Sequence, residues 1–324
     1  FTVDEQGRKM SKSLGNVVAP QQVLKTLGAD VLRLWAASSD YSGEIAISDQ
    51  LLKRVADMYR RIRNTARYLL GSLKDFDPAQ DLIAAEQMVA VDQWMLNRAA
   101  AAQARIVGYY GTREFWKLSA EIHDFCNMDL GSLYLDILKD RLYTLPKRAP
   151  ARRSAQTALY HLAEALVRWI APILSFTADE IWQMLPGERS TPVFAQRWHA
   201  FPTMPAPAID FAALQALREP VKKLLEDLRI AGQIGSGLNA EVRVYAEGEA
   251  ASTLRAVGDE LRFWFITSGA DVIDAGQRPA DAVAAPLEVG TVWISAQPST
   301  AVKCERCWHQ RADVGSVAAH PTLC

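Results

Sequence analysis

The chain has 324 residues, with 36 Lys and Arg against 37 Asp and Glu for a formal net charge of -1, and 49% hydrophobic and 23% charged residues. It is long enough for two or three soluble domains, and no stretch approaches the ~20 apolar residues that a membrane-crossing helix needs. Four cysteines, three of them after residue 303, argue against a disulfide framework and for a reducing, cytoplasmic compartment. The small net charge conceals a gradient: residues 1–75 hold 12 Lys and Arg against 8 Asp and Glu, whereas residues 201–324 hold 11 against 15.

The first informative segment is Lys9-Met10-Ser11-Lys12-Ser13, flanked by Gly7 and Gly15. Glycine permits unusual backbone angles, the serines supply hydroxyls, and two ammonium groups three positions apart can close over an anion. When a nucleophile attacks the α-phosphate of ATP, charge grows on the departing pyrophosphate. A cation that arrives only in that geometry lowers the barrier. Two lysines at this spacing would by themselves read as an ordinary solvated loop. The whole pentapeptide resembles the KMSKS signature of class I aminoacyl-tRNA synthetases, and Leu14-Gly15-Asn16-Val17-Val18 continues it in that family's manner.

Three further strings, Gly28-Ala29-Asp30-Val31-Leu32-Arg33-Leu34-Trp35, Ala37-Ser38-Ser39-Asp40-Tyr41 and Tyr59-Arg60-Arg61-Ile62-Arg63-Asn64-Thr65, narrow the resemblance to the bacterial isoleucyl branch. Valyl and leucyl synthetases are the nearest alternative, and a noncatalytic tRNA-binding module or a zinc-dependent scaffold are rivals of another kind. The resemblance covers Phe1 to Cys324. It implies ATP, with magnesium, bound by Lys9, Met10, Ser11, Lys12 and Ser13, with Lys12 catalytic and Lys9 assisting. Isoleucine and tRNA(Ile) would be the other substrates of a monomeric enzyme. The family's HIGH-containing half and its editing domain would lie upstream of Phe1, so the chain reads as a carboxyl-terminal portion, inactive on its own.

The expected fold is mainly α. Residues 1–47 combine the loop with a helix from Val23 to Ala37 and a strand-like run from Glu44 to Ile47, which the resemblance makes a stem-contact α/β fold. Ser48 is a plausible cap for a helix reaching Leu73. On that helix Lys53, Arg60, Arg67 and Lys74 recur every seventh residue, with Arg54 and Arg61 beside two of them, opposite an apolar face of Leu52, Val55, Tyr59, Ile62, Ala66, Leu69 and Leu73. Lys53, Arg60, Arg61 and Arg67 are candidate RNA contacts, and a solvated helix face is the plain alternative.

Further helices are expected from Val91 to Val107, ending at Gly108, from Thr112 onward, from Met128 to Leu142, from Ser154 to Ile170, and from a capping box at Thr177-Ala178-Asp179-Glu180 to Pro186-Gly187. Residues 48–200 thus form an antiparallel bundle, the anticodon-binding domain of the resembled family. Lys147, Arg148, Arg152 and Arg153 in its turn are secondary candidates for RNA contacts, or a disordered basic turn. His123 with Cys126 reads as core packing, and His161 with Glu164 as a surface hydrogen bond. Trp198 and Phe201 make the proline-rich connector from Pro186 to Pro207 a docked segment rather than a free one.

Residues 201–300 read as a small α/β junction domain, with helices at Glu219–Ile230 and Ser252–Phe265 and strands at Glu241–Ala246 and within Leu287–Ala296. Residues 301–324 carry Cys304 and Cys307 in a C-x-x-C knuckle and Cys324 after sixteen intervening residues, a spacing for zinc. In the resembled zinc module a fourth cysteine falls three positions after Cys324, so water, His309 or His320 would have to complete the set. Zinc would order this segment and let Arg306, Trp308 and Arg311 meet RNA, or would serve only as a structural tie.

Overall fold

A computed structural model describes residues 1–207 and 209–324, which form two compact units, Phe1–Pro205 and Ala206–Cys324. The first unit opens with β1 (Thr2–Val3), α1 (Pro20–Thr26), α2 (Ala29–Ser38) and β2 (Ile45–Ala46), the two strands pairing in parallel. The single helix expected from Val23 to Ala37 is instead two. Gly28 separates them at φ 86°, a backbone region that side chains with a Cβ seldom enter. Val23, Ile47 and Leu52 form a small core on which Met10, Val18, Leu27, Leu32 and Trp35 pack.

The bundle follows: α3 (Asp49–Ser72), α4 (Ala90–Thr112), α5 (Phe115–Asp124), a π-helical segment (Phe125–Tyr134), α6 (Leu135–Thr144), α7 (Pro150–Ile170) and α8 (Ser175–Met184). Ser48 caps α3 as expected, its hydroxyl accepting from Leu51 N. α4 runs through Gly108 and Gly111, because Met95, Leu96, Ala99, Ala102 and Ile106 bury one continuous stripe. Such burial outweighs the roughly 1 kcal/mol that a mid-helix glycine costs. The helix ends instead at Arg113, φ 63°, so Thr112 closes α4 rather than opening the next helix. At Gly131 an added Cβ would stand 3.1 Å from the Cys126 carbonyl five residues back, a crowding that the wider turn imposes. Thr177 is not a cap, since α8 starts two residues earlier and Leu174 offers no side-chain bond.

One acid is fully buried in the bundle. Asp92 accepts from Tyr134 Oη at 2.7 Å, Ser154 Oγ at 2.5 Å and Arg141 Nη1 at 3.1 Å, so α4, the π-helical segment, α6 and α7 share one polar knot. The connector after α8 is docked as expected. Trp198 stacks on Tyr110 at 5.4 Å, and Gln103 Nε2 donates to the His199 carbonyl at 2.7 Å.

The second unit contains α9 (Phe211–Ile230), β3 (Ala240–Ala246), α10 (Gly248–Arg255), α11 (Glu260–Phe265), β4 (Gly269–Asp274), β5 (Val283–Leu287) and β6 (Gly290–Pro298). The sheet order is β4-β3-β6-β5, with β3 parallel to β4 and antiparallel to β6. Val242, Val244, Val292 and Ile294 alternate onto one buried face. The expected helix from Ser252 to Phe265 breaks at Gly258, φ 60°. β4 and β5 were not anticipated: glycine and aspartates bound the first, and Pro286 lies in the second, tolerated because β5 is an edge strand. Among the described residues no helix is long and apolar enough to cross a membrane.

Candidate functional site

The lysine loop is organised by two side chains that the motif does not include. Asp4, buried, accepts from the backbone of Gln6 and Arg8 at 3.0 and 2.8 Å, from Arg8 Nε at 2.8 Å and from Asn16 Nδ2 at 2.9 Å. Asn16 in turn accepts from Ser11 N at 2.8 Å. The Asn16 bond above all, against the opposing pull of burial and with help from Arg8 and Gln6, holds the Asp4 carboxyl far below the usual range. Ser11 caps the short turn Lys12–Leu14, its hydroxyl lies 3.1 Å from that of Ser13, and Gly15 closes the turn at φ 66°. Met10 is tucked into the small core, while Lys9, Lys12 and Ser13 are exposed. Among the described residues neither lysine has an ion-pair partner. A cleft of about 870 Å³ opens beside the loop, lined in part by Asp4, Arg8, Asn16 and Lys53. Sequence reasoning passed over Asp4 and Asn16, although an acid and an amide flanking two glycines are familiar turn formers.

The basic helix is α3. Lys53, Arg60, Arg67 and Lys74 are all exposed, with Leu52, Ile62, Ala66, Leu69 and Leu73 buried on the opposite face. Arg61 leaves the ridge sideways, donating to Asn127 Oδ1 at 2.5 Å, and Arg63 reaches Glu180 on α8 at 3.5 Å. Arg60 pairs with Asp57 one turn back, both in water, a contact worth little. Two secondary candidates turn inward. Arg152 grips both oxygens of Asp75 at 2.9 and 3.0 Å, which holds that carboxyl down to about 2, and Arg153 pairs with Asp81 at 3.3 Å. Lys147 and Arg148 stay exposed.

In the second unit the sulfurs of Cys304, Cys307 and Cys324 lie within 4.8 Å of one another, Cys307 to Cys324 at 3.5 Å. Three thiolates on one zinc at ~2.3 Å would stand roughly 3.8 Å apart, so the spacing fits. The backbone holds the two halves together: Cys304 N donates to His309 O at 2.8 Å, and Glu305 N to Thr322 O at 3.1 Å. Burial raises the Cys304 thiol, but N–H groups of Cys307, Cys324 and Arg306 outweigh it and bring the thiol down to about 6. Burial pushes Cys307 up to about 12 and raises Cys324 as well. Neither histidine completes the set: among the described residues only the three sulfurs fall within that span. His309 is instead buried against Phe263 and Arg262, drawn there by ring packing. Trp308 and Arg306 are exposed beside the cluster, Trp308 at φ 66° with Lys303 Nζ 5.5 Å from its ring.

The family comparisons agree with this layout. Residues 1–48 match the family profile of tRNA synthetases class I (I, L, M and V), and residues 92–244 that of the anticodon-binding domain of tRNA ligase. The chain therefore belongs to the class I tRNA synthetases. Within that class it is homologous over its whole length to isoleucine–tRNA ligases, at 54% identity to that of Halorhodospira halophila (strain DSM 244 / SL1) and 52% to that of Shewanella sp. (strain W3-18-1). Each match takes in 100% of this chain and 35% of the relative, so the chain spans about a third of the length of these curated proteins. Among solved structures, Mycobacterium tuberculosis methionyl-tRNA synthetase in complex with methionyl-adenylate aligns with a TM-score of 0.48 at 20% identity, over 63% of this chain and 42% of that one.

Proposed function

We propose that this chain supplies the lysine loop and the anticodon-arm surface of an isoleucine–tRNA ligase, a monomeric cytoplasmic enzyme that joins isoleucine to tRNA(Ile) with ATP and magnesium. The observation that carries this reading is the exposure of Lys9 and Lys12 on a loop whose backbone is already fixed by Asp4 and Asn16. In the first step the isoleucine carboxylate attacks the α-phosphorus of ATP, the bond to the bridging oxygen breaks, and pyrophosphate leaves. Lys12 Nζ, with Lys9 beside it, donates to the phosphate oxygens as their charge rises, and the Ser11 and Ser13 hydroxyls line the same turn. In the second step a terminal ribose hydroxyl of tRNA takes the acyl group and AMP departs. The exposed ridge of α3 holds the phosphate backbone of the anticodon arm, with Lys53, Arg60 and Arg67 as its cations and Arg61, turned toward Asn127, at its flank.

Cys304, Cys307 and Cys324 would hold a zinc ion, whose contribution is to order the segment that presents Arg306 and Trp308 to RNA. The test is direct binding of this chain, loaded with zinc, to isoleucine tRNA and to valine tRNA across a salt series. Salt-dependent binding with preference for the isoleucine tRNA supports the reading. Binding that ignores both salt and tRNA identity overturns the assignment of recognition to this chain.

A further inference from the structure

We infer that Asp30 and Arg33 form a joint that keeps the RNA-binding bundle in register with the lysine loop, and that they are positioning residues for transfer of the acyl group to tRNA. This deepens the reading above and rests on it. The two residues lie one turn apart on α2 and grip the corner between α7 and α8 with opposite charges. Asp30 is buried, and its carboxylate accepts from Thr177 N at 2.7 Å, Thr177 Oγ1 at 2.6 Å and Phe176 N at 3.4 Å, in the first turn of α8. α8 has no side-chain cap of its own, so this carboxylate takes up donors that a helix start leaves unpaired. Arg33 does the converse at the end of α7, donating from Nε to Ile173 O at 2.7 Å and from Nη2 to Pro172 O at 2.8 Å.

Both halves of the proposed machinery meet at this helix. Leu32 and Trp35 of α2 pack in the same small core as Met10, which belongs to the lysine loop itself. On the other side Tyr59 of α3, the helix carrying the basic ridge, places its hydroxyl 2.9 Å from Thr177 Oγ1. A tRNA held on the ridge is thereby indexed to the loop through α2 and the corner it clamps. Loosening the clamp leaves each half intact but lets their relative placement drift, and an error of about 1 Å at a reacting centre can cost on the order of a hundredfold in rate.

The test uses the full-length protein with Asp30→Asn, Arg33→Lys and Thr177→Val, and with Thr177→Ser as the conservative variant. Three quantities are read: isoleucine-dependent ATP–pyrophosphate exchange, tRNA Kd, and the single-turnover rate of acyl transfer from preformed adenylate. The expected result is transfer slowed about tenfold or more by Asp30→Asn, Arg33→Lys and Thr177→Val. Exchange and tRNA Kd should stay within about twofold, and Thr177→Ser should transfer normally. The Asp30→Asn, Thr177→Val pair should be slowed by less than the product of the two single effects, because both break the Thr177 Oγ1 bond to Asp30. Normal transfer in the three variants overturns the joint, as does a loss of exchange, binding and transfer in common proportion with folded protein. A wild-type protein without exchange activity or tRNA binding overturns the underlying reading, and the joint with it.

Discussion

Asn16 donates its side-chain amide to Asp4 at 2.9 Å across twelve positions of sequence, and the same amide's oxygen accepts from Ser11 N at 2.8 Å. The lysine loop is therefore shaped by its own side chains, and little of its ordering would have to be supplied by a ligand. Replacing Asn16 by Ala removes both bonds, each worth about 1 kcal/mol net. The full-length Asn16→Ala protein should show ATP–pyrophosphate exchange reduced roughly tenfold in kcat, with KM for isoleucine little changed. A variant as fast as wild type would show that the loop is shaped by the nucleotide instead.

Lys12 is exposed and carries no ion pair among the described residues, so its charge is available to a phosphate. Lys12→Ala should depress the rate of adenylate formation about a hundredfold while leaving isoleucine affinity nearly intact, the pattern of a contact made in the transition state. Lys9→Ala should act in the same direction and less. Pre-steady-state quench measurements of adenylate formation check this, and equal losses in rate and affinity would assign the lysines to ground-state binding.

The ridge on α3 makes a graded prediction. Arg67→Ala and Arg60→Ala should each weaken tRNA binding and reduce the slope of log affinity against log salt by about 1. Arg61→Ala should change the slope less, because its guanidinium is turned off the ridge toward Asn127. A filter-binding or fluorescence titration at four or five salt concentrations distinguishes these cases. An unchanged slope in all three variants would make the ridge a solvated face.

Local chemistry explains which of these features could be read before the fold was known. The helix from Ser48 announced itself because its cap, its apolar stripe and its cations obey one period, and α3 runs Asp49–Ser72. Gly108 misled because a glycine's preference is weak beside a buried stripe, whereas Gly28 went unnoticed as a break because only its φ of 86° reveals it. Arg152 and Arg153 looked like RNA contacts in a string of basic residues, yet their partners Asp75 and Asp81 lie more than seventy positions away. The same holds for Asp30, whose partner Thr177 is 147 positions distant. Spacing identifies a motif such as Lys9 to Ser13. It carries no information on pairings that tertiary packing alone creates.

The cysteine cluster predicts a metal dependence with a pH signature. Cys304 is held down to about 6, while Cys307 is pushed up to about 12, so metal binding at neutral pH must release protons. Cobalt(II) added to the metal-free chain should give thiolate-to-metal charge-transfer absorption, and zinc should displace it. Cys307→Ser should abolish most of that band and lower the thermal stability of the second unit without touching the bundle. Bound zinc retained by Cys307→Ser at wild-type affinity would rule the cluster out.

The bundle carries its own pH dependence at His161 and His199, whose Nδ1 and Nε2 lie 2.9 Å apart. Burial pushes both imidazoles down to about 4; for His199 the neighbouring His161 and Arg168 add to this, and for both Glu164 opposes it. An unfolded histidine titrates near 6.5, so between pH 6.5 and about 4 the unfolded chain binds more protons than the folded one. The pair's contribution to stability is therefore fully present above pH 6.5 and is lost as the pH falls toward 4. Between pH 7.5 and 5 the loss should be on the order of 2 kcal/mol for each histidine. His199→Gln keeps an amide where the ring stood and removes one titrating group, so its melting temperature should fall less steeply over the same range. Thermal unfolding followed by circular dichroism at half-unit pH steps measures the difference, and parallel curves for the two proteins would show that the pair does not titrate on unfolding.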